Sequence, residues 1–575
     1  MTSPNHSNAD LKLSDGTPLD PLLARILANR NIMGQEEVGR FLEPKLQELP
    51  DPFLMMDMER AVEIIADTIL AGGPILIVGD YDVDGTTGTA LLLQFFKGIG
   101  VSANFCIPNR LTEGYGLQEA VLERVENCGK NGGKLLITVD NGISAHAAIR
   151  LAKEQGYRVV VTDHHTPPEE RVAADAVLNP KQEGCGFPDK NLAGVGVAFY
   201  LAMGLRAFLN KKSAFFQSRP VPNLKQLLDL VAIGTVADMV PLTGVNRILV
   251  RGGMEVMASD FANPGLSALC GQTNTDCTYV RSEDISFQLA PKINAAGRLG
   301  QAEKAVALFL AHSKSEARSL AGELVALNER RRNISLDDFV KAKKEVGALA
   351  GDPGYATIVA DTYHIGVAGI VASNLVEAYG RVSVVLCSQG GGIFKGSARS
   401  IPGIDLYAAL DKCKELLINY GGHPMAGGLS LKGENIEKFY EQFDLAVGRQ
   451  SSGREKRESD RVDAEIKVGE LFSGSTLRQL HYLEPFGQGN HQPIFRDKVI
   501  NFKEVSPLGK DKSHLRLSFK HGKTAIKGVA FGLGKQLEEC CGRHEKEILY
   551  TPGINYFRGK RSWQVRVTKI SVIQE

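Results

Sequence analysis

From about residue 74 the chain alternates short apolar runs with helix-compatible stretches and loops. Pro74 to Gly79 (PILIVG) leads into Asp80, Lys134 to Val139 (KLLITV) into Asp140, and Arg158 to Thr162 (RVVVT) into Asp163. Near-continuous apolar runs of this length fit strands buried on both faces, and the intervening helical stretches predict a parallel sheet with helical crossovers. Leu224 to Val240 reads as a buried helix running into an Asp-bearing loop. Residues 301 to 346, rich in Ala, Leu, Glu, Lys and Arg, read as a long helix joining two lobes. A second α/β lobe follows, with strand-like runs at 356–361 (ATIVAD), 382–387 (VSVVLC) and 392–400 (GIFKGSARS). Polar, charged residues 451–460 (SSGREKRESD) predict a linker. Beyond it, alternating segments such as HLRLSF, KGVAFG, ILYTPGINYF and WQVRVTKI predict a small β-barrel or sandwich.

At 575 residues the chain exceeds what one hydrophobic core supports, so several domains are expected. No run of about 18 apolar residues offers a membrane span, and the polar start MTSPNHSNADLKLSDG does not resemble a signal peptide. The nine cysteines are odd in number and contain no Cys-x-x-Cys pair. A reduced, cytoplasmic protein is expected, and cysteine-held zinc is disfavoured. The net charge of +1 conceals an uneven distribution. Residues 501–575 carry 15 Lys and Arg against 7 Asp and Glu, or +8; the preceding 500 carry 52 against 59, or −7. A basic tail on a slightly acidic body fits a polyanionic partner, although charge alone fits a solvated basic face as well.

The carboxylates carry the chemistry. Ligands of open parallel sheets sit beyond the carboxyl ends of the strands. Three runs deliver acids to that edge: Asp80, Asp82 and Asp84 within GDYDVDG, Asp140 within DNG, and Asp163 before His164 and His165. Like-charge repulsion would penalise such a cluster without cations, and two divalent ions sharing a bridging carboxylate would relieve it. Oxygen donors with one imidazole suit Mn²⁺ or Mg²⁺ better than Zn²⁺. Any one of these acids could simply be a turn residue or helix cap. A calcium loop is excluded because the twelfth position from Asp80 is Leu91, where a Glu is required.

The Asp163-His164-His165 triplet, with GDYDVDGTT (79–87), VDNGIS (139–144) and GTVADMVPL (234–242), resembles the DHH phosphoesterase superfamily. NAAGRLG (294–300) and GGHPMAGG (421–428) add its DHHA1 partner domain. Over roughly residues 50 to 575 the combination is similar to the RecJ family of single-strand-specific 5′→3′ DNA exonucleases, the tail being matched by pattern and charge. The resemblance implies two α/β lobes, a DHH parallel-sheet domain and a DHHA1 domain, joined by a long helix and followed by a C-terminal OB-fold-like β-barrel. The expected division is an N-terminal segment 1–50, a DHH catalytic domain 51–265, a helical connector 266–345, DHHA1 346–450, a linker 451–460 and the OB-like domain 461–575.

The superfamily arrangement implies that Asp82 and Asp140 hold one metal and that Asp84, Asp140, His164 and Asp238 hold the other, with Asp140 bridging. His165 would face the scissile phosphate and Asp163 would orient the histidines. Some members carry a His four residues before the first ligand; here that position is Val78, which leaves the part played by Asp80 open. Arg298 and His423 match positions that contact the substrate backbone, and Arg110, Ser397 and Arg399 match a pocket for a terminal 5′ phosphate. Tyr115 could stack on a base. Each of these alone reads equally as a surface charge, a turn histidine or a turn aromatic. Tail aromatics Phe502, Phe519, Phe531, Tyr556, Phe557 and Trp563 lie among cations, as in single-strand grooves, and about half are expected to be buried. Arg330, Arg331 and Arg332 are expected on the solvated side of the long helix.

The implied function is hydrolysis of single-stranded DNA to mononucleotides in recombination and in mismatch and base-excision repair. The implied partners of a monomeric enzyme are single-strand-binding protein and a RecQ-type helicase. Alternatives are a phosphodiesterase of short oligonucleotides, disfavoured by chain length and the basic tail, and a non-catalytic single-strand binder, disfavoured by the full acidic set.

Overall fold

The computed structural model describes residues 11–125, 134–211, 215, 219–348, 354–451, 461–499, 502–522, 524–542, 544–557 and 560–573. Most of the expected linker, 452–460, lies outside them. Five parallel strands form the first sheet: β1 Ile75–Val78, β2 Asn104–Cys106, β3 Lys134–Val139, β4 Tyr157–Thr162 and β5 Ala176–Leu178, in the order β2-β1-β3-β4-β5. The apolar runs read from the sequence are these strands, and β1, β3 and β4 are buried almost throughout. Register pairs Val78 with Thr138 and Val139 with Thr162, so the following acids emerge together at one edge.

Helices α1 Val83–Gly98 and α2 Gly194–Lys211 pack on the sheet, and α3 Leu228–Ala237 packs on both of them. Residues Leu228 to Val236 of α3 are all buried, which explains a segment with no polar face. The expected helix begins as a 3₁₀ turn at Leu224–Leu227 and ends one residue before Asp238. Helix α4, Gly244–Met257, packs behind α3, and α5, Ala290–Arg298, follows a single π-helical turn at Ile285–Leu289.

The expected single helix over 301–346 is two helices, Glu303–Leu310 and α6, Lys314–Ala348. The break is a new start signal. Ser313 Oγ accepts the Glu316 N–H at 3.1 Å, and the Glu316 carboxylate accepts the His312 N–H at 2.9 Å. Leu324 and Leu327 of α6 sit in the first core, while Ala342 packs with Val367 and Val371 of the second lobe.

The second sheet orders β6 Ala356–Asp361, β7 Val382–Ser388, β8 Ile393–Arg399, β9 Leu417–His423 and β10 Ala426–Lys432 as β6-β7-β8-β10-β9. Only β6 and β7 pair in parallel. Helix α7, Ala368–Tyr379, packs against it. The C-terminal domain is a mixed seven-stranded sheet, ordered β11-β12-β16-β17-β15-β14-β13. Its strands are β11 Ala464–Glu465, β12 Phe495–Val499, β13 Glu504–Leu508, β14 His514–His521, β15 Thr524–Ala530, β16 Lys546–Phe557 and β17 Lys560–Val572.

Its core is completed by the opposite end of the chain. Leu23, Ile26, Leu27, Val38 and Leu42 pack with Phe495, Leu515, Tyr550 and Val565. Asp20 accepts hydrogen bonds from Ser475 Oγ (2.8 Å) and Thr476 Oγ1 (2.7 Å). Arg247 of α4, almost fully buried, donates to the carbonyls of Phe41, Tyr482, Leu483 and Glu484 and ties that unit to the first lobe. No disulfide forms among the described cysteines, and no described helix is long and apolar enough to cross a membrane.

Candidate active site

Local chain geometry turns strand ends into a cage. Asp140 follows β3 in the left-handed region (φ 62°), a conformation costly for a residue with a side chain. Its neighbour Asn141 fixes the turn. Asn141 Nδ2 donates to the carbonyls of Val78 (3.1 Å) and Val139 (2.8 Å), and its Oδ1 accepts the Leu117 N–H at 3.1 Å. Asp82 caps α1 by accepting the Gly85 N–H at 3.0 Å. Asp84, in the first turn of α1, is held by N–H groups at the start of α2: Gly194 at 2.6 Å and Val195 at 2.8 Å. A Cβ on Gly194 would lie 2.6 Å from that of Asp140, so glycine is what lets this helix end approach two carboxylates. Asp238 comes in from the end of α3, followed by a strained Met239 (φ 62°).

The donors converge. His164 Nε2 lies 3.2 Å from Asp140 Oδ1, 3.6 Å from Asp238 Oδ2 and 3.9 Å from Asp84 Oδ2. Three overlapping sets have ligand atoms within 4.8 Å of one another: Asp84–His164–Asp238, Asp80–Asp82–Asp140 and Asp140–His164–His165. Asp140 belongs to two of them, and Asp80 joins the set that lacks a histidine. Asp80 Oδ1, Asp140 Oδ1 and His164 Nε2 are buried without a hydrogen-bond partner. Buried polar atoms seldom stay unsatisfied, and here they all point into one acidic space.

Without a cation that space is electrostatically costly. Burial and the Asp82 charge push Asp84 up to about 7, and burial with Asp84 and Asp82 pushes Asp238 up to about 9. Asp80 and Asp140 are raised well above the carboxylate range by burial and neighbouring acids. Burial and the neighbouring His165 hold His164 down to about 3, leaving it a neutral donor. This donor set, oxygen-rich with one imidazole, fits Mn²⁺ or Mg²⁺.

Asp163 behaves differently. Its Oδ1 accepts from His165 Nδ1 (2.7 Å) and from the N–H groups of His164 (2.7 Å) and His165 (3.1 Å), and Oδ2 accepts the Ile143 N–H (2.9 Å). Burial opposes ionisation of Asp163, but these bonds outweigh it and its pKa is lowered. Burial likewise acts against the His165 cation, yet Asp163 and the acids beyond it raise His165 overall. Asp163 therefore orients the His165 ring, whereas it reaches His164 only through the backbone.

Cations gather across the cleft. Arg110 lies 4.8 Å over the Tyr81 ring. Arg399 donates to Ser397 Oγ (3.0 Å) and the Ala398 carbonyl (2.8 Å), beside the start of α7, where a Cβ on Gly369 would lie 2.6 Å from Arg399 Nη2. Arg298 donates to the Gly366 carbonyl at 3.3 Å. Burial lowers Arg298 to about 10, with Arg110, Arg331 and Arg399 adding to the effect. Such mutual repulsion marks a concentration of positive charge suited to a phosphate. Tyr115 donates its hydroxyl to the Asp140 carbonyl at 2.9 Å and packs edge-on against Tyr81 and His165. It borders a cleft of about 900 Å³ with Tyr81, His165 and His423, the last reaching it from the β9–β10 hairpin.

Family models match three segments: the DHH family N-terminal domain over 74–235, the DHHA1 domain over 352–449 and the RecJ OB domain over 462–569. The chain is 36% identical to the single-stranded-DNA-specific exonuclease RecJ of Escherichia coli, across 96% of both chains. The chain belongs to the RecJ family. The RecJ of Haemophilus influenzae is 35% identical, across 98% of this chain and 99% of that one. Crystal structures of Thermus thermophilus RecJ in complex with Mn²⁺ and with Mg²⁺ superpose with TM-scores of 0.78 and 0.73 at 29% and 27% identity, covering 97% of this chain and about three quarters of theirs. Metal-bound RecJ relatives and a cage of unsatisfied carboxylates in this chain agree on divalent cations as cofactors.

The sequence reading did not single out Gly194, Val195 or Asn141. The signal available was AGVGV before an apolar helix, glycines at a helix start where backbone must approach an acid. Of the tail aromatics, Phe519 is buried and Phe502 half-buried, while Phe531, Tyr556 and Trp563 are exposed. The Phe557 side chain lies outside the described residues. Arg330 and Arg332 face solvent as expected, but Arg331 turns inward toward Arg298.

Proposed function

We propose that this chain removes nucleotides from the 5′ end of single-stranded DNA by metal-assisted phosphodiester hydrolysis. The observation that carries this reading is the juxtaposition of an acidic cage with the Arg110–Arg298–Arg399 cluster. Acids alone describe a metal site, and cations alone a phosphate site; together across one cleft they describe a strand end held beside a hydrolytic centre.

Asp82, Asp140 and Asp80 would hold one ion and Asp84, Asp140, His164 and Asp238 the other, with Asp140 shared. When bound, the ions lower the pKa of a water nucleophile and stabilise charge on the reacting phosphoryl group. The protein's own groups supply the rest. His165, whose pKa Asp163 raises against the effect of burial, faces the cleft and would donate a hydrogen bond to a phosphate oxygen. Arg399 and Ser397, with Arg110, would grip a terminal 5′ phosphate, and Arg298 and His423 the adjoining backbone. Tyr115, fixed by its hydroxyl, offers its ring to a base at the cleft wall. Recombination and repair in the cytoplasm, as a monomer alongside single-strand-binding protein and a RecQ-type helicase, fit a RecJ family member.

Digestion of 5′-labelled and 3′-labelled single strands in Mn²⁺, with duplex controls, tests the polarity. Label released first from the 5′ end is expected. Label released first from the 3′ end would overturn it.

A further inference from the structure

A second groove lies beside the residues that flank Asp238. A cavity of about 390 Å³ is lined by Ala237 and Met239, which flank Asp238, and by Phe287, Arg298, Arg331 and Ile370. Another, of about 550 Å³, lies between the helical region before α5 and the C-terminal sheet, lined by Phe287, Asp284, Phe531, Tyr556 and Arg566. Phe287 is common to both. It is one of the most exposed large apolar side chains, at 69%, and sits on the π-helical turn Ile285–Leu289. Such turns interrupt a helix at an energetic cost and recur at functional sites.

Nothing in the fold explains an aromatic ring left in water at a junction between two grooves. The surroundings say what would cover it. Arg331 lines the inner groove beside Met239, which is 71% exposed, and burial together with Arg332 lowers the Arg331 pKa. Lys292 is lowered by burial and by Arg332 and Arg331. The outer groove carries exposed Phe531 and Tyr556 beside Arg566, which pairs with Glu283. The inner groove sets apolar surface beside the cations Arg298 and Arg331, and the outer groove offers aromatic rings beside arginines held by acids; stackable bases followed by phosphates, as in single-stranded nucleic acid, suit that order of surfaces.

We infer that Phe287 is a base-stacking platform that guides the substrate strand from the C-terminal domain to the metal cage, contacting a nucleotide downstream of the scissile bond. The inference rests on the proposed exonuclease activity. It assigns Phe287 a positioning role, since the ring touches neither the cage nor the terminal-phosphate pocket. A strand long enough to follow both grooves would gain from it, and a dinucleotide occupying only the cage and the phosphate pocket would gain little.

The test compares kcat/KM on a 5′-phosphorylated 20-nucleotide single strand with that on a 5′-phosphorylated dinucleotide, in Mn²⁺, for the full chain and for F287A and F287Y. The ratio of long to short should fall about tenfold or more in F287A, as for loss of one base–aromatic stack, and recover in F287Y. An active wild type whose ratio matches that of F287A would overturn the stacking role, whether both rates are preserved or fall together. A wild type that hydrolyses neither substrate would overturn the exonuclease reading and this inference with it.

Discussion

At the residue scale, the site depends on how closely backbone can approach acid. Two N–H groups at the start of α2 hold Asp84, and they reach it because residue 194 has no side chain. Gly194→Ala should therefore displace Asp140 or Asp84 and cut nucleotide release at least about a hundredfold, while leaving the far-ultraviolet circular dichroism unchanged. Activity near wild type would mean that the α2 start yields without cost. Asp82, Asp84, Asp140, His164 and Asp238 could be named from the sequence, because each follows an apolar run or sits in a family motif, whereas the part played by Asp80 stayed open there. Gly194 and Val195 could not be, since their work is done by backbone groups, nor could Asn141, whose side-chain amide pins the turn through backbone partners that no pattern displays.

At the scale of elements, apolar periodicity was enough to find the first sheet, because strands covered on both faces have few alternatives. The long helix was over-extended. Its composition is uniformly helical, and only the Ser313–Glu316 cap marks the break. Nor could local pattern show that residues 11–42 complete the core of the C-terminal domain, a pairing of the two ends of the chain. Arg247 sits at that seam, its charge met by four carbonyl dipoles, the Phe41 ring 3.9 Å away and the nearby Glu484 carboxylate. Arg247→Ala would remove a donor from four carbonyls, of which Leu483 keeps Asn490 and Glu484 keeps Arg251, and is expected to cost about 3 kcal/mol in chemical denaturation through the lost hydrogen bonds and the cavity left at the seam. It should also expose the chain between the lobes to limited proteolysis. An unchanged denaturation midpoint would show that the domains dock without it.

For the whole molecule, folding has concentrated buried acid at one point, and pH reads the consequence. Asp84 and Asp238 hold folded pKa values of about 7 and 9 against an ordinary 3.8. Between those limits the metal-free folded chain binds more protons than the unfolded one, so its stability should fall as pH rises from about 4 to 9. Divalent ions must displace those protons, so their affinity should rise with pH over the same range. The increase in melting temperature on adding Mn²⁺ should accordingly be larger at pH 8.5 than at pH 6. An equal increase at both would place the ion away from these acids. The split of charge along the chain follows the same logic, with a slightly acidic body that holds cations and a basic tail that meets the polyanion.

The proposed hydrolysis depends on two divalent ions sharing Asp140. Native mass spectrometry of the full chain titrated with Mn²⁺ measures this directly. Two ions per wild-type chain are expected, and one or none for Asp140→Ala. A single ion in the wild type, or two retained in the Asp140→Ala chain, would contradict it.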